Sequence, residues 1–333
     1  MPPANSRKPK VLVVYDHASD WSAADTEVLH EYLGMMRQGL TEEGYTFELL
    51  EFYDDLSALD RYDPREWVIF NWGEEWAGQP WTEAKIAEEY EKRGFAYTGA
   101  APATLRFAQN RPQVKDRLLA AGLPTLPYRV LSDAAQACEW TVYPAIVKGA
   151  NQHASYGISG RSVVQNADEL ARQVEYLRAE HKDTALVEQF LDSREFHVAV
   201  WGNAQPETLP PVEFVYTPFA NIHDRLYTND WKFDRASRGY KEIEMPCPAP
   251  ADRPDWRARL EAVALKAYPV MGLRDFGRFD MRMMGDEPQI LDVNPNPDLD
   301  RVSVLLLGVR TQGKDYGYLV SRLIQFAAER MPR

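Results

Sequence analysis

Two predicted strands near the C-terminus carry acids and arginines at alternate positions. The strand-like segments 278–283 and 289–294 are separated by Met284-Gly285-Asp286-Glu287-Pro288, whose residue types favour a turn. Side chains alternate between the two faces of a strand. The first strand therefore groups Arg278, Asp280 and Arg282 on one face and Phe279, Met281 and Met283 on the other, while the second groups Ile290, Asp292 and Asn294.

A hairpin centred on Asp286 places Asp280 opposite Asp292 and Arg278 opposite Asn294. Like charges that face each other across a ladder are destabilising, and a cation bound between them removes that cost. Carboxylate and amide oxygens suit Mg²⁺, with Mn²⁺ as an alternative ion, and nucleotide phosphates commonly complete the coordination shell. On these residues alone a second reading stays open, in which the acids of a solvent-facing hairpin pair with the neighbouring arginines.

A second set of residues could bind phosphate. Lys148 ends a predicted buried strand and is followed by a loop of small residues, 149–160, that includes Ser155 and Gly157. Backbone N–H groups and one ammonium group that converge on a point can hold a phosphate. The spacing is not that of a Walker A loop. The alternative is a surface loop with a solvated lysine.

A third segment could bind the base and sugar of a nucleotide. Glu188-Gln189-Phe190-Leu191 follows an apolar strand, and an extended hinge of this kind can hydrogen-bond adenine through its backbone. Glu195 follows within reach of ribose hydroxyls. By itself, this pattern does not identify a nucleotide-binding site.

Composition limits the classes of protein to consider. The 333 residues exceed what one core usually serves, so two or three domains are expected. A net charge of −12 disfavours non-specific binding to nucleic acid or anionic membranes. No apolar stretch is long enough to cross a bilayer, and no signal peptide is recognisable, so we expect a cytoplasmic protein. Cys138 and Cys247 suggest neither structural zinc nor a disulfide framework. The scattered histidines are expected to be structural or at the surface, except where a motif places one in the site.

The order of predicted elements indicates an α/β fold. Strands at 11–15, 47–52 and 67–72 alternate with helices at 26–44 and 81–93, which is typical of a small parallel sheet. The segment Thr208 to Tyr216 is predicted as one strand of a later antiparallel part, and Phe95 to Thr98 as a short strand. Pro218 to Tyr240 is a long loop rich in charges and aromatic residues, and is our candidate for a lid.

Taken together and in this order, these segments resemble the ATP-grasp superfamily, and within it the D-alanine–D-alanine ligase branch. The resemblance extends from about Val68 to about Ile324. Its most specific parts are Gly277-Arg278-Phe279-Asp280, similar to "GR-x-D", and Asp292-Val293-Asn294-Pro295-Asn296-Pro297, similar to "E-x-N-x-x-P". It implies an N-terminal parallel α/β domain (1–110), a central lobe (111–190) and a C-terminal lobe (191–333), the two α+β lobes clamping ATP.

The resemblance also implies roles for individual residues. Those expected at ATP are Lys115, Lys148, Ser155, Gly157, Glu188, Gln189, Phe190, Leu191 and Glu195. Asp280, Asp292 and Asn294 would be Mg²⁺ ligands. Arg278 would stabilise a tetrahedral oxyanion, Lys232 would reach the γ-phosphate, and Ser303 would contact the carboxylate of the acceptor substrate.

Departures from the family pattern fall at the substrates. Asp292 replaces the usual glutamate, and Ala154 stands where these ligases have a serine. Asp16 lies in a first loop that lacks the glycine-rich turn and the glutamate beyond it, and Asp298 follows Pro297 in place of the usual glycine. Asp16 and Asp298 are therefore candidate substrate contacts, with unknown specificity.

The function implied is ATP-dependent ligation of a carboxylate to an amine through an acyl phosphate, with small amino-acid-like substrates. True D-alanine–D-alanine ligation is one alternative. Alternatives of another class are a phosphotransferase and a non-catalytic nucleotide-binding module. The family also suggests a homodimer, and neither a nucleic acid nor a membrane is an expected partner.

Overall fold

The computed structural model describes residues 8–18, 21–152, 157–228, 231, 234 and 236–333. Its first sheet is parallel, with the order β2-β1-β3 for β1 (Lys10–Asp16), β2 (Phe47–Phe52) and β3 (Trp67–Trp72). Alternate residues of β1 are buried on opposite faces, Val11 and Val13 in one cluster and Leu12 and Val14 in another. Helix α1 (Ala23–Glu42) packs on the first face and α2 (Glu83–Lys92) on the second.

The second sheet is antiparallel, with the order β4-β7-β5-β6. Its strands are β4 (Tyr128–Leu131), β5 (Ala145–Gly149), β6 (Val163–Val164) and β7 (Ala185–Gln189). Helix α5 (Ala167–Glu180) covers one face through Leu170, Val174 and Leu177. The opposite face is free to take part in a cleft.

The third sheet is also antiparallel and includes the hairpin with the acids. Its order is β10-β8-β11-β12, with β9 also paired to β8. The strands are β8 (Glu195–Trp201), β9 (Glu207–Thr208), β10 (Val212–Phe214), β11 (Phe276–Met284) and β12 (Glu287–Asn294). The predicted single strand 208–216 is thus two short strands, because Pro210 and Pro211 between them lack the N–H that a ladder requires.

The predicted register of the hairpin is correct at the end far from the turn and wrong near the turn. Arg278 pairs with Asn294 and Asp280 with Asp292, but Met281 pairs with Ile290 because a β-bulge shifts the ladder by one residue. Ile290 therefore lies in the apolar core, not on the face of Asp292 as predicted. The bulge adds Leu291 to the face of Asp292, which is a way in which bulges re-aim side chains beside active sites.

The remaining helices join the sheets. They are α3 (Pro102–Ala108), α4 (Arg111–Ala120), α6 (Arg238–Glu242), α7 (Pro254–Val270), α8 (Val304–Arg310) and α9 (Tyr316–Ala328). The sequence analysis missed α3 and α8, and the strand it predicted at Phe95–Thr98 is a single bridge from Tyr97 to Ile69. None of the helices in the described ranges has the length and apolar character needed to span a membrane.

The C-terminal helix packs against the first sheet. A Cβ on Gly39 of α1 would lie 2.9 Å from the Cα of Gly317 in α9, so only glycine allows the two backbones to approach this closely. Helix α4, in turn, shares an apolar cluster with the third sheet through Val114 and Leu118. The domain boundaries at residues 110 and 190 stay a prediction. Helix α9 packs against the first sheet and helix α4 against the third, so each of them packs outside the domain to which it was assigned.

Candidate active site

A cleft between the second and third sheets brings together most of the residues predicted to act on ATP. It is open to solvent on one side and is lined by residues of both sheets and of the long loop. The predicted residues that line it are Lys148, Glu188, Gln189, Phe190, Leu191, Glu195, Arg278, Asp280, Asp292 and Asn294. Ser155 and Lys232 lie outside the described residues.

The carboxylates of β11 and β12 form one end of the cleft. Arg278 donates to both oxygens of Asp280, from Nε at 2.7 Å and from Nη2 at 3.0 Å, and Asn294 Nδ2 donates to the same carboxylate at 3.1 Å. This donation leaves the amide oxygen of Asn294 available. Among the described residues, by contrast, the side chain of Asp292 accepts a hydrogen bond only from the adjacent Val293 N–H at 3.2 Å, and Arg111 Nη2 lies 3.6 Å away.

This oxygen set fits Mg²⁺ that is shared with a ligand. Asp280, Asp292 and Asn294 supply two carboxylates and an amide oxygen on one face of the hairpin. Within the described ranges, no group of three or more His, Cys, Asp or Glu side chains is placed to hold a metal ion. The protein thus offers part of a coordination shell, as expected where phosphates supply the rest.

Two lysines and one glutamate form a buried ion cluster beside the cleft. Glu188 is 0% exposed, and its carboxylate lies 2.5 Å from Lys115 Nζ and 3.0 Å from Lys148 Nζ. Burial alone would raise the pKa of Glu188, but the two ammonium groups hold it below its ordinary value. Lys115 also donates to Thr125 Oγ1 at 2.9 Å. The predicted phosphate contact of Lys115 stays a prediction, since this amine faces Glu188.

Arg111 is a site residue that the sequence analysis missed. It begins α4, is 4% exposed, and donates through Nη1 to the Gly149 carbonyl at 2.6 Å. Its Nε and Nη2 are buried and form no hydrogen bond among the described residues, although Nη2 lies 3.6 Å from the Asp292 carboxylate. A buried guanidinium between the phosphate loop and Asp292 has donors to spare for an anion. The only signal in the sequence was its position four residues before Lys115.

Arg282 and His197 were also missed, and both contact the predicted ribose acid. Glu195 accepts from Arg282 Nε at 2.8 Å and lies 2.9 Å from His197 Nε2. Burial would raise the pKa of Glu195, but Arg282 and then His197 lower it to about 2. His197 Nδ1 is in turn 3.5 Å from Asp280. Arg282 lies on the predicted polar face of β11, whereas His197 had been expected to be structural.

The long loop closes over the base end of the cleft. Leu226 forms an apolar cluster with Ile146, Val163 and Phe190, and Tyr227 also lines the cleft. Arg282 Nη2 donates to the Arg225 carbonyl at 2.5 Å. Gly157, at the other rim, has φ +70°, a conformation that favours glycine. The described part of the loop therefore covers the end of the cleft where the sequence predicts that the nucleotide binds.

The candidate substrate residues lie away from the base end. Asp16 is buried and accepts from the Glu74 N–H at 2.7 Å. The Glu74 side chain is exposed, yet the protein that surrounds its carboxyl group displaces water, and this displacement, then the charges of Asp298 and Asp16, raises the pKa of Glu74 to about 8. Burial and Asp298 raise the pKa of Asp300 to about 6. This end of the molecule is thus strongly acidic.

Ser303 has a structural contact in the described structure. It is buried, and its Oγ accepts from the Leu306 N–H at 3.3 Å as the N-cap of α8. Its predicted contact with a substrate carboxylate stays a prediction.

Comparison with known proteins places this chain in a family. The family model described as D-ala D-ala ligase C-terminus matches residues 118–325, more than half of the chain. The D-alanine–D-alanine ligase of Desulforudis audaxviator is 30% identical over 245 residues, which cover 72% of this chain and 75% of that protein. The corresponding ligase of a Marinomonas species is 26% identical over 329 residues, or 97% of each chain.

A solved structure supports the same fold. The D-alanine–D-alanine ligase of Bacillus anthracis, crystallised with ATP, superposes with a TM-score of 0.72 at 14% identity and covers 96% of this chain and 98% of its own. The fold is therefore ATP-grasp, as the sequence predicts. The chain belongs to the D-alanine–D-alanine ligase family of ATP-grasp enzymes, which form carbon–nitrogen bonds.

Proposed function

We propose that this protein is an ATP-dependent ligase that joins a carboxylate to an amine through an acyl phosphate. The observation that carries the proposal is the placement of Asp280, Asp292, Asn294 and Arg278 on one face of a hairpin that lines the same cleft as Lys148. A non-catalytic nucleotide-binding module would have no need for that arrangement. It is the arrangement that phosphoryl transfer requires, because negative charge must be neutralised where it develops.

The reaction has two steps. A carboxylate oxygen of the first substrate attacks the γ-phosphorus of ATP, and the bond to the β,γ-bridging oxygen breaks to release ADP. The amine of the second substrate then attacks the carbonyl carbon of the acyl phosphate. Inorganic phosphate leaves and the amine loses a proton, which gives the amide.

At the nucleotide end, positive charges would bind the phosphates and the loops at the rim would exclude water. In our proposal Lys148 and Arg111 contact the phosphates. The Glu188 carboxylate forms ion pairs with both Lys115 and Lys148. Phe190 and Leu226 enclose the base, and Glu195 takes the ribose hydroxyls. Ser155, Gly157 and Lys232 remain proposed contacts of the loop 149–160 and the long loop 218–240. An acyl phosphate is lost to water, so closure of these loops protects it.

The acidic end of the hairpin would hold Mg²⁺ through Asp280, Asp292 and Asn294. The ion would supply Lewis-acid neutralisation of the phosphate oxygens. Arg278 provides a fixed guanidinium beside these ligands and would face the oxyanion of the tetrahedral centre.

The substrates would be amino-acid-like, with an ammonium group held by Asp16, Glu74 and Asp298. Loss of hydration and then the charges of Asp298 and Asp16 raise the pKa of Glu74, and a cation bound among these carboxylates would relieve their mutual repulsion. D-alanyl-D-alanine is one product compatible with this end, but Ala154 and the changed first loop leave a different amide as our favoured product. A homodimer and a cytoplasmic location are further parts of the proposal and rest on family resemblance.

Trapping with hydroxylamine tests the reaction class. The protein is incubated with Mg-ATP, hydroxylamine and a panel of D- and L-amino acids, singly and in pairs. We expect ADP release that depends on a carboxylate, together with a hydroxamate. A stable phosphorylated product without hydroxamate would instead establish a phosphotransferase.

The metal assignment has its own variant and control. Asp292→Asn should reduce turnover by about a hundredfold or more, since it removes a charge that compensates Mg²⁺. Asp286→Asn, on the exposed turn of the same hairpin where Asp286 pairs with Arg253, should keep nearly full activity. Equal activity in the two variants contradicts the metal assignment.

A further inference from the structure

A second concave site lies outside the cleft, between α5 and two short 3₁₀ turns. The turns are Gly160–Ser162, which follows the phosphate loop, and Ile222–Asp224 in the long loop. One face of α5, at Glu169, Arg172, Gln173 and Tyr176, forms one wall, and Arg161 lies across from it. Val163 and the Tyr176 ring add apolar surface.

The two arginines of this site have no anionic partner. Neither guanidinium forms a hydrogen bond or ion pair with any residue in the described ranges. Both arginines are exposed, whereas Arg178 on the same helix pairs with Glu175. Two unpaired guanidinium groups lining one concavity form a recognition element for oxyanions.

The one carboxylate of the site is already committed. Glu169 Oε2 accepts from the Gln165 N–H at 2.7 Å, and Oε1 accepts from Asn166 Nδ2 at 2.9 Å. Glu169 thus stabilises the N-terminus of α5 and does not form an ion pair with Arg172, which lies three residues further along the helix.

A buried donor also lacks an acceptor. Gln173 is 4% exposed, and its Nε2 has no hydrogen-bond partner among the described residues. A buried donor without an acceptor is costly, and Gln173 lines the same concavity as Arg161 and Arg172. This observation is independent of the arginines and points to the same class of ligand, one that accepts hydrogen bonds.

His223 fixes the site against the active-site loop. Its Nδ1–H donates to the Gly160 carbonyl at 2.9 Å, and its Nε2 accepts from Gln165 Nε2 at 3.2 Å. The ring therefore links the long loop to the end of the loop 149–160. Because both ring nitrogens are already hydrogen-bonded, the arginines are the groups that can bind an anion.

We propose that this site binds a small oxyanion, a phosphate monoester or a dicarboxylate, through Arg161, Arg172 and Gln173. The bound anion adds a contact between α5 and the 159–161 segment. Its binding is separate from ATP binding, because the site shares no lining residue with the cleft.

The test uses the full-length protein with its ATP site filled by a non-hydrolysable ATP analogue and Mg²⁺. Inorganic phosphate is titrated at constant ionic strength and followed by ³¹P line broadening, and succinate is followed by saturation-transfer difference NMR. Binding of phosphate identifies the phosphoryl class of ligand, and binding of succinate identifies the carboxylate class.

The test variant is Arg161→Gln/Arg172→Gln, and the matched control is Arg129→Gln/Arg178→Gln. The control removes the same two charges from surface pairs with Glu139 and Glu175. We expect the control to bind the anion as the wild type does, and the test variant to bind at least fivefold more weakly at unchanged melting temperature. Absence of binding of both probes to the wild type, or equal weakening in the two variants, overturns the proposal.

Discussion

Lys148 Nζ lies 3.0 Å from the carboxylate of Glu188, and both side chains are withdrawn from solvent at the edge of the cleft. Lys115 completes the cluster from the other side. One buried negative charge therefore serves two positive charges, which leaves an excess that ATP phosphates would neutralise. The cluster links the stability of the second sheet to nucleotide binding.

Replacing Glu188 should destabilise the protein strongly. Glu188→Gln leaves two buried ammonium groups without a counter-charge, and loss of one partner of a buried pair costs about 3–5 kcal/mol. Urea unfolding measures this cost. Glu139→Gln, which breaks the exposed pair with Arg129, should cost less than about 1 kcal/mol. Similar losses in both variants contradict the role of the cluster.

The pH dependence of that variant has a defined sign. The folded-state pKa of Glu188 lies below its ordinary value of 4.5. Its stabilisation is therefore present above pH 4.5 and is lost as pH falls through the folded-state pKa. The deficit of Glu188→Gln relative to the wild type should shrink in acid, below pH 4.5.

Glu74 should make stability depend on pH in the opposite sense. Its pKa is raised to about 8 from 4.5 in the folded protein, so its contribution is present below pH 4.5 and is lost as pH rises to about 8. Melting temperature should fall over this range less steeply in Glu74→Gln than in the wild type. Glu180→Gln, at the exposed end of α5, should follow the wild-type curve.

The same titration predicts how a cationic substrate binds. Glu74 and Asp300 gain charge as pH rises through about 6 to 8. The Kd of a substrate with an ammonium group should therefore fall over that range, and Glu74→Gln should flatten the change. A Kd that rises with pH in the wild type contradicts the assignment of this end to the ammonium group.

Arg111 should act on ATP affinity. Arg111→Met should raise the KM for ATP by about tenfold to a hundredfold, because one lost charge-assisted contact is worth about 1.5–3 kcal/mol. Arg111→Lys should recover part of this loss. Arg117→Gln on the same helix, where the guanidinium stacks 3.5 Å from the Phe107 ring centroid, should leave the KM unchanged. An unaltered KM in Arg111→Met would remove Arg111 from the site.

The sequence predicts those features that depend on local periodicity. Alternation in β11 and β12 correctly pairs Asp280 with Asp292, since residues of one hairpin need only a register. The prediction placed Ile290 on the wrong face because a bulge inserts one residue. A pattern that repeats every two residues does not show where an extra residue is inserted.

Features that depend on distant contacts could not be predicted in this way. Glu188 reads as part of a hinge, and only the fold brings Lys115 to it from 73 positions earlier. Arg111 reads as a surface residue at the start of a helix, yet the packing of α4 beside the Gly149 carbonyl buries it. His197 had one available signal, its place two residues after Glu195 on a strand whose residues are all buried.

Arg282 should hold the nucleotide end in place. It is 2% exposed and donates to three segments: the Glu195 carboxylate, the Leu191 carbonyl at 2.6 Å in the hinge, and the Arg225 carbonyl in the long loop. Because lysine can restore the charge but not the three-way fork, Arg282→Lys should remain folded. It should raise the KM for ATP by about tenfold and leave kcat within about threefold.

Hydrogen–deuterium exchange provides a second readout for Arg282. Peptides that cover residues 219–228 should exchange faster in Arg282→Lys, since the loop loses its contact through the Arg225 carbonyl. Arg253→Lys, at an exposed pair with Asp255, is the control and should leave both readouts unchanged. Slower exchange would contradict the role of Arg282 in holding the loop. A fall in kcat at constant KM would mean that Arg282 acts on the chemical step.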